Sequence, residues 1–254
     1  MLKQMNYDVI RLSEESIPPD LHCLITAFDI RQIRSDEDLG QCAACLSDER
    51  RKKMERYRFP DDRKRCAAGQ LLAEYTLRCL TGEEIGRIVF GKTKKGKPYL
   101  KWPEKWHFNI SHSGDWVCCA AADIPVGIDV ERVNRVERGV LEMCLTPEER
   151  DALTVCVGGT KQDDPSPEEA GQFIRIWTMK ESYLKMTGEG LTRSMDTFYM
   201  KPAGGYWTAE AGRAENADEN RILPSMIFSR KWRQEYYLSV CFNKKADSNE
   251  TGFD

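Results

Sequence analysis

Two helical signatures divide this chain and limit what it can fold into. The first opens at Pro60-Asp-Asp and closes at Thr81-Gly82; the second opens at Ser166-Pro-Glu-Glu169 and closes at Thr187-Gly188. A serine cap, a proline at the first position and a glutamate three residues after the cap start a helix, and a glycine stops it. Ala68, Leu71, Leu72, Tyr75 and Cys79 recur at helical spacing in the first segment, and Phe173, Ile176, Trp177 and Leu184 in the second. These mark faces that seek a core. Strand signals surround both helices: Leu21 to Phe28, Arg87 to Phe90, His107 to Ser111 and Trp116 to Ala122 about a Ser113-Gly-Asp115 turn, Val126 to Glu131, and later Ser225 to Arg230 and Tyr236 to Phe242. Each half therefore holds one long helix and several strands, which predicts an α+β chain. Direct similarity between the halves is too faint to define a repeat.

Smaller signals fill the gaps. Ser47 can cap a short basic helix from Asp48 towards Arg58, and Thr146 a further one. Lys94-Lys-Gly-Lys-Pro98 reads as a turn, Cys156 to Pro165 and Ala211 to Asn220 as polar loops, and 244–254 as a disordered tail.

Composition excludes several classes. The formal charge is −3, and the basic residues lie in local clusters, so nucleic acid is a poor partner. No apolar stretch approaches a membrane span, and the first residues lack the apolar run of a signal peptide. Ten cysteines in 254 residues, with a lone Cys42-Ala-Ala-Cys45 and an adjacent Cys118-Cys119, fit reduced thiols in a cytoplasmic protein better than a disulfide framework.

The chemistry concentrates in two places. In Val126-Gly-Ile-Asp-Val-Glu131 the apolar residues alternate with Gly127, Asp129 and Glu131. On a strand, this period sends both carboxylates to one face, roughly 6.5 Å apart along the chain. Two anions so placed repel unless a cation joins them, and hard oxygen ligands suit Mg²⁺; an isolated D-x-E is more often a polar strand face. In the second helix Glu181 and Lys185 stand four apart. They make either a surface ion pair, worth about 0.3–0.5 kcal/mol, or a third metal carboxylate beside a lysine that grips a phosphate. Spacing leaves both readings open.

Three segments in order carry a resemblance: Phe108-Asn-Ile-Ser-His-Ser-Gly114, then Gly127-Ile-Asp-Val-Glu131, then Trp177-Thr-Met-Lys-Glu-Ser-Tyr-Leu-Lys185. They resemble the surfactin-type 4′-phosphopantetheinyl transferases. Any one would be weak; the ordered set is specific. The likeness begins near Leu46-Ser-Asp-Glu-Arg50, includes Gly96-Lys-Pro98 and runs to about Phe198. It implies two related α+β lobes, 1–123 and 124–243, packed as a pseudo-dimer within a monomer, with the active site in the cleft between them.

The resemblance further implies transfer of the phosphopantetheine arm of coenzyme A to a serine of an apo acyl or peptidyl carrier protein, with release of adenosine 3′,5′-bisphosphate. Asp129, Glu131 and Glu181 would hold Mg²⁺, Lys185 would add positive charge at the phosphates, and Glu181 or Glu149 would take the serine proton. Glu149 also completes a capping box with Thr146, and that structural role ranks slightly ahead. Nine Lys/Arg against three Asp/Glu between Arg50 and Arg65, and a second group from Lys92 to Lys105, could be solvated faces. The likeness assigns Arg50, Lys53 and Arg65 to the 3′-phosphate end of coenzyme A, Lys97 and Pro98 to its adenine, and Ser111 and His112 to its phosphates. Cys66 stands where relatives can place a hydroxyl, and a thiol is the weaker donor. The rival readings are a non-catalytic carrier-binding module of this fold and a Mg²⁺-dependent nucleotide hydrolase.

Overall fold

A computed structural model describes residues 5–12, 17–84, 87–93, 96–157, 164–190, 193–212 and 222–244. The first half comprises β1 (Asp8–Val9), β2 (Cys23–Asp29), α1 (Asp36–Ala44), α2 (Asp48–Glu55), α3 (Pro60–Thr81), β3 (Val89–Lys92), β4 (Pro98–Trp102), β5 (His107–Ser113) and β6 (Trp116–Ala122). The second half comprises β7 (Val126–Arg132), α4 (Arg138–Cys144), α5 (Pro147–Val157), α6 (Pro167–Thr187), β8 (Phe198–Ala203), β9 (Tyr206–Ala211), β10 (Ser225–Trp232) and β11 (Tyr236–Asn243). The expected centres of the two loops and nearly all of the tail lie outside the described residues.

One topology occurs twice. In the first sheet, ordered β1-β2-β6-β5, the strand that precedes the long helix pairs with the last strand, which pairs with the one before it. The second sheet, ordered β7-β11-β10-β9-β8, repeats this arrangement with α6 as the long helix. Both helices start on proline and end on a glycine in the left-handed region, Gly82 at φ 73° and Gly188 at φ 77°. The α+β reading with two lobes is what the chain adopts.

The layers run helix, sheet, sheet, helix. Ile25, Ala27, Cys118 and Ala120 of the first sheet meet Val126, Ile128, Val130, Leu238 and Val240 of the second in an apolar core between the sheets. The opposite face of the first sheet packs under α3 through Leu71, Leu72, Leu77, Val117 and Cys119. Both faces of β6 are thus covered, so all seven of its residues are buried. Under α6, Tyr183 and Leu184 pack against Phe198, Ile227 and Cys241. Helix α6 lies directly on β7 because Gly127 has no side chain: a Cβ there would sit 2.0 Å from the Ser182 carbonyl oxygen.

Some expectations need correction. Cys79 is exposed and not part of the α3 core stripe, and β1, α1, β4, α4, β8 and β9 have no counterpart in the sequence reading. Pro202 obscures β8, yet β8 is the sheet edge, where a missing backbone donor is tolerated. The signal for α1 is Ser35 with Asp38, a capping box built with aspartate.

Candidate active site

The face of β7 that lies under α6 carries the acidic pair. Val126, Ile128 and Val130 enter the core between the sheets, which turns Asp129 and Glu131 the other way, towards β5 and α6. Asp129 is 3% exposed; its Oδ1 accepts from Ser111 Oγ at 2.8 Å and meets Lys185 Nζ at 2.5 Å. Lys185 Nζ also donates to Ser111 Oγ at 3.0 Å. The lysine of α6 therefore pairs across the seam with the aspartate of β7. Its predicted neighbour Glu181 is not the partner. Glu131 Oε2 accepts from Ser113 Oγ at 2.7 Å.

Electrostatics set these carboxylates apart. Burial, and then the charge of Asp129, pushes the Glu131 carboxyl up to about 7. The same two causes raise Glu181, with Lys185 opposing them. Asp129 Oδ2 is buried and has no hydrogen-bond partner. Among the described residues, no three His, Cys, Asp or Glu side chains are gathered as a ready-made metal cluster. A bare buried carboxylate oxygen beside two carboxylates that repel it nevertheless suits a hard cation, so the residues present fit Mg²⁺.

Basic groups adjoin this seam. His112 keeps an exposed edge, and its pKa is lowered by desolvation, by Arg65 and then by Lys185 and Arg50. Arg65 donates to the Gly114 carbonyl at 2.7 Å and to Asp62 at 2.7 Å. Arg50 Nε donates to the carbonyl of Cys66, whose own thiol is buried. A cleft of about 530 Å³ is lined by Arg50, Lys53 and Pro98, with Phe90, Lys92 and Ile110 among its walls. The structure brings those three predicted coenzyme residues together there. It places the Lys97 ammonium elsewhere, on the carbonyls of Lys185 and Met186 at the C-terminal end of α6. A cation is favourable at that end of the helix. The Ser111 hydroxyl is likewise committed, to Asp129, Lys185 and the Val130 amide.

Glu149 has a crowded environment. It makes the capping box, accepting from the Thr146 N–H at 3.0 Å while its own N–H donates to Thr146 Oγ1. Its carboxylate also accepts from the Met200 N–H at 3.0 Å and pairs at 2.5 Å with Lys180, which is fully buried. Sequence reasoning passed over Lys180, although a lysine three after Trp177 and four before Leu184 sits within the apolar stripe of its helix. It also passed over Asn109 and Ser113, which alternate with Phe108, Ile110 and His112 at the strand period.

Comparison with known proteins identifies the family. The family model described as "4'-phosphopantetheinyl transferase, N-terminal" matches residues 34–124, and that of the "4'-phosphopantetheinyl transferase superfamily" matches 125–241. A Bacillus subtilis 4'-phosphopantetheinyl transferase is 30% identical over 198 residues, covering 78% of this chain and 82% of the relative. The 4'-phosphopantetheinyl transferase Sfp of Bacillus subtilis strain 168 is 30% identical over 66% of this chain and 71% of its own length. The Bacillus pumilus 4'-phosphopantetheinyl transferase psf-1 is 28% identical over 83% and 84%. The chain belongs to the surfactin-type 4′-phosphopantetheinyl transferase family, and it is an enzyme of that class.

Proposed function

We propose that this enzyme transfers the 4′-phosphopantetheine arm of coenzyme A to a serine hydroxyl of an apo acyl or peptidyl carrier protein, depends on Mg²⁺, and releases adenosine 3′,5′-bisphosphate. The observation that carries the reading is the seam between β5, β7 and α6, where Lys185 holds one oxygen of Asp129 and the other is buried without a partner. Asp129, Glu131 and Glu181 would hold Mg²⁺, and the ion would supply positive charge to neutralise the pyrophosphate. Lys185 adds a fixed positive charge at the same phosphates. Arg50, Lys53 and Pro98 hold the nucleotide end in their cleft, with Arg65 and His112 beside it.

The serine proton goes to a carboxylate. Of the two candidates we assign the role to Glu181, which stands beside Asp129 and Lys185. The Glu149 carboxylate is occupied by Thr146, Met200 and Lys180. The enzyme works as a monomer of two lobes, 1–123 and 124–243, in the cytoplasm. All nine described cysteines are free, which suits a reducing compartment. Among the described residues, no helix is long and apolar enough to cross a membrane.

Incubation with coenzyme A, Mg²⁺ and an apo carrier should add one phosphopantetheine to the carrier serine by intact mass. Carriers from several pathways that stay unmodified here but accept the group from another transferase would defeat the reading. Consumption of coenzyme A without any carrier would favour a hydrolase.

A further inference from the structure

Three side chains on one face of β5 meet three backbone amides on β7 and stand in for a ladder between the lobes. Asn109 Oδ1 accepts from the Ile128 N–H at 3.0 Å, Ser111 Oγ from Val130 at 3.3 Å, and Ser113 Oγ from Arg132 at 3.1 Å. The step is two residues on both strands, so the seam stays in register. The other edge of β7 pairs along its whole length with β11. Without these acceptors, the edge of β7 that faces β5 would present N–H groups lacking a partner.

The two serines do a second job. Their hydroxyl protons go to the carboxylates of the same strand, Ser111 to Asp129 at 2.8 Å and Ser113 to Glu131 at 2.7 Å. A hydroxyl has one proton and two acceptor sites. For Ser113, accepting from a backbone N–H fixes where the oxygen sits, which leaves the proton aimed at Glu131. The backbone seam fixes the hydroxyls, and the hydroxyls fix the carboxylates. The orienting groups come from one lobe and the carboxylates from the other.

We propose that Asn109, Ser111 and Ser113 form a positioning strip, through which docking of the first lobe sets the direction of the Asp129 and Glu131 carboxylates. The consequence for metal binding rests on the Mg²⁺ reading above. Ser113 is the residue to test, because it contacts Glu131 and Arg132 and lines no part of the coenzyme cleft.

The experiment compares the full-length wild type with Ser113→Ala and Ser113→Thr. It reads Mn²⁺ binding by electron paramagnetic resonance, exchange of the Arg132 amide by NMR, and KM for coenzyme A. In Ser113→Ala, Mn²⁺ should bind roughly 10-fold more weakly, the size typical of losing a partner that orients a metal ligand. The Arg132 amide should exchange faster, KM for coenzyme A at saturating metal should hold within about twofold, and Ser113→Thr should restore the first two. Unchanged Arg132 exchange overturns the seam. Faster exchange with wild-type Mn²⁺ affinity shows a structural contact alone and overturns the positioning role. Wild-type protein that takes up no Mn²⁺ defeats the metal reading instead, and the exchange measurement still decides whether Ser113 holds β7.

Discussion

The two lobes share a topology but place different chemistry at the same spot. Thr26 is the middle residue of β2, and it shares a 2.5 Å hydrogen bond with Thr76 of α3, both side chains being buried. Asp129 is the middle residue of β7, and it meets Lys185 of α6 at 2.5 Å. In the first lobe the strand-to-helix contact is neutral, and Thr76 also donates to the Leu72 carbonyl. In the second lobe one aspartate oxygen is left bare, and two neighbouring carboxylates are pushed up. An unsatisfied buried polar atom costs about 1–3 kcal/mol. At this one spot the first lobe satisfies its polar pair and is expected to be structural, and the second tolerates the cost, which is where chemistry is expected.

The sharpest way to break this comparison is to neutralise both spots. Asp129→Asn should stay folded and lose roughly 10³-fold in turnover, as expected on removing a charge from a reacting centre. Thr26→Val should cost about 1 kcal/mol of stability and leave kcat unchanged. Steady-state assays and urea melts on both variants decide it. A Thr26→Val enzyme as crippled as Asp129→Asn would mean that the lobes are not divided into scaffold and site.

Glu149 tests where the division falls within the second lobe. The buried Lys180 is held by Glu149 and by the carbonyls of Cys144 and Met195. Removing one charge from a buried pair costs about 3–5 kcal/mol. Glu149→Gln should therefore lose stability on that scale, while turnover per folded molecule stays within about 10-fold. Preserved stability with a much larger loss of turnover would make Glu149 the base.

Much of this was legible in the chain because local rules decided it. The caps at Ser47, Thr146 and Ser166 formed as their residues dictate. Asp129 and Glu131 share a face because a strand alternates. Partners across the seam were harder to read. The Glu181 and Lys185 spacing describes an isolated helix, and it carries no information about the strand that packs on it. Ser111, read for its place in a motif, holds two strands together, and its role depends on β7 lying beside β5. The same limit applies to Lys97, whose ammonium finds the end of a helix from the other lobe.

A smaller effect separates the coenzyme cleft from the seam. Arg50→Ala and Lys53→Ala should raise KM for coenzyme A by roughly 3–10-fold with little change in kcat, because they would touch parts that do not change during transfer. High salt should shrink both effects. Lys97→Ala should lower kcat more than it raises KM, since it uncaps the turn that carries Lys185. Three variants with identical KM effects would return Lys97 to the cleft.

The smallest effect concerns pH. The Glu131 carboxyl stands at about 7 against an ordinary 4.5, through burial first and Asp129 second. Between those values the unfolded chain has lost the proton and the folded chain keeps it. The group's contribution to stability therefore falls as pH rises through this window and is level above it. Glu131→Gln keeps the acceptor for Ser113 and removes the ionisation. It should match the wild type at pH 4.5 and exceed it at pH 8 by about 1 kcal/mol, after allowance for the solvent that reaches a half-buried group. Adding Mg²⁺ at pH 8 should stabilise the wild type more than the variant and narrow the gap. Urea melts at the two pH values, with and without Mg²⁺, make the measurement. Parallel stability curves would mean that Glu131 ionises as an ordinary surface carboxylate, and the second lobe would then carry no more electrostatic strain at this strand than the first carries at β2.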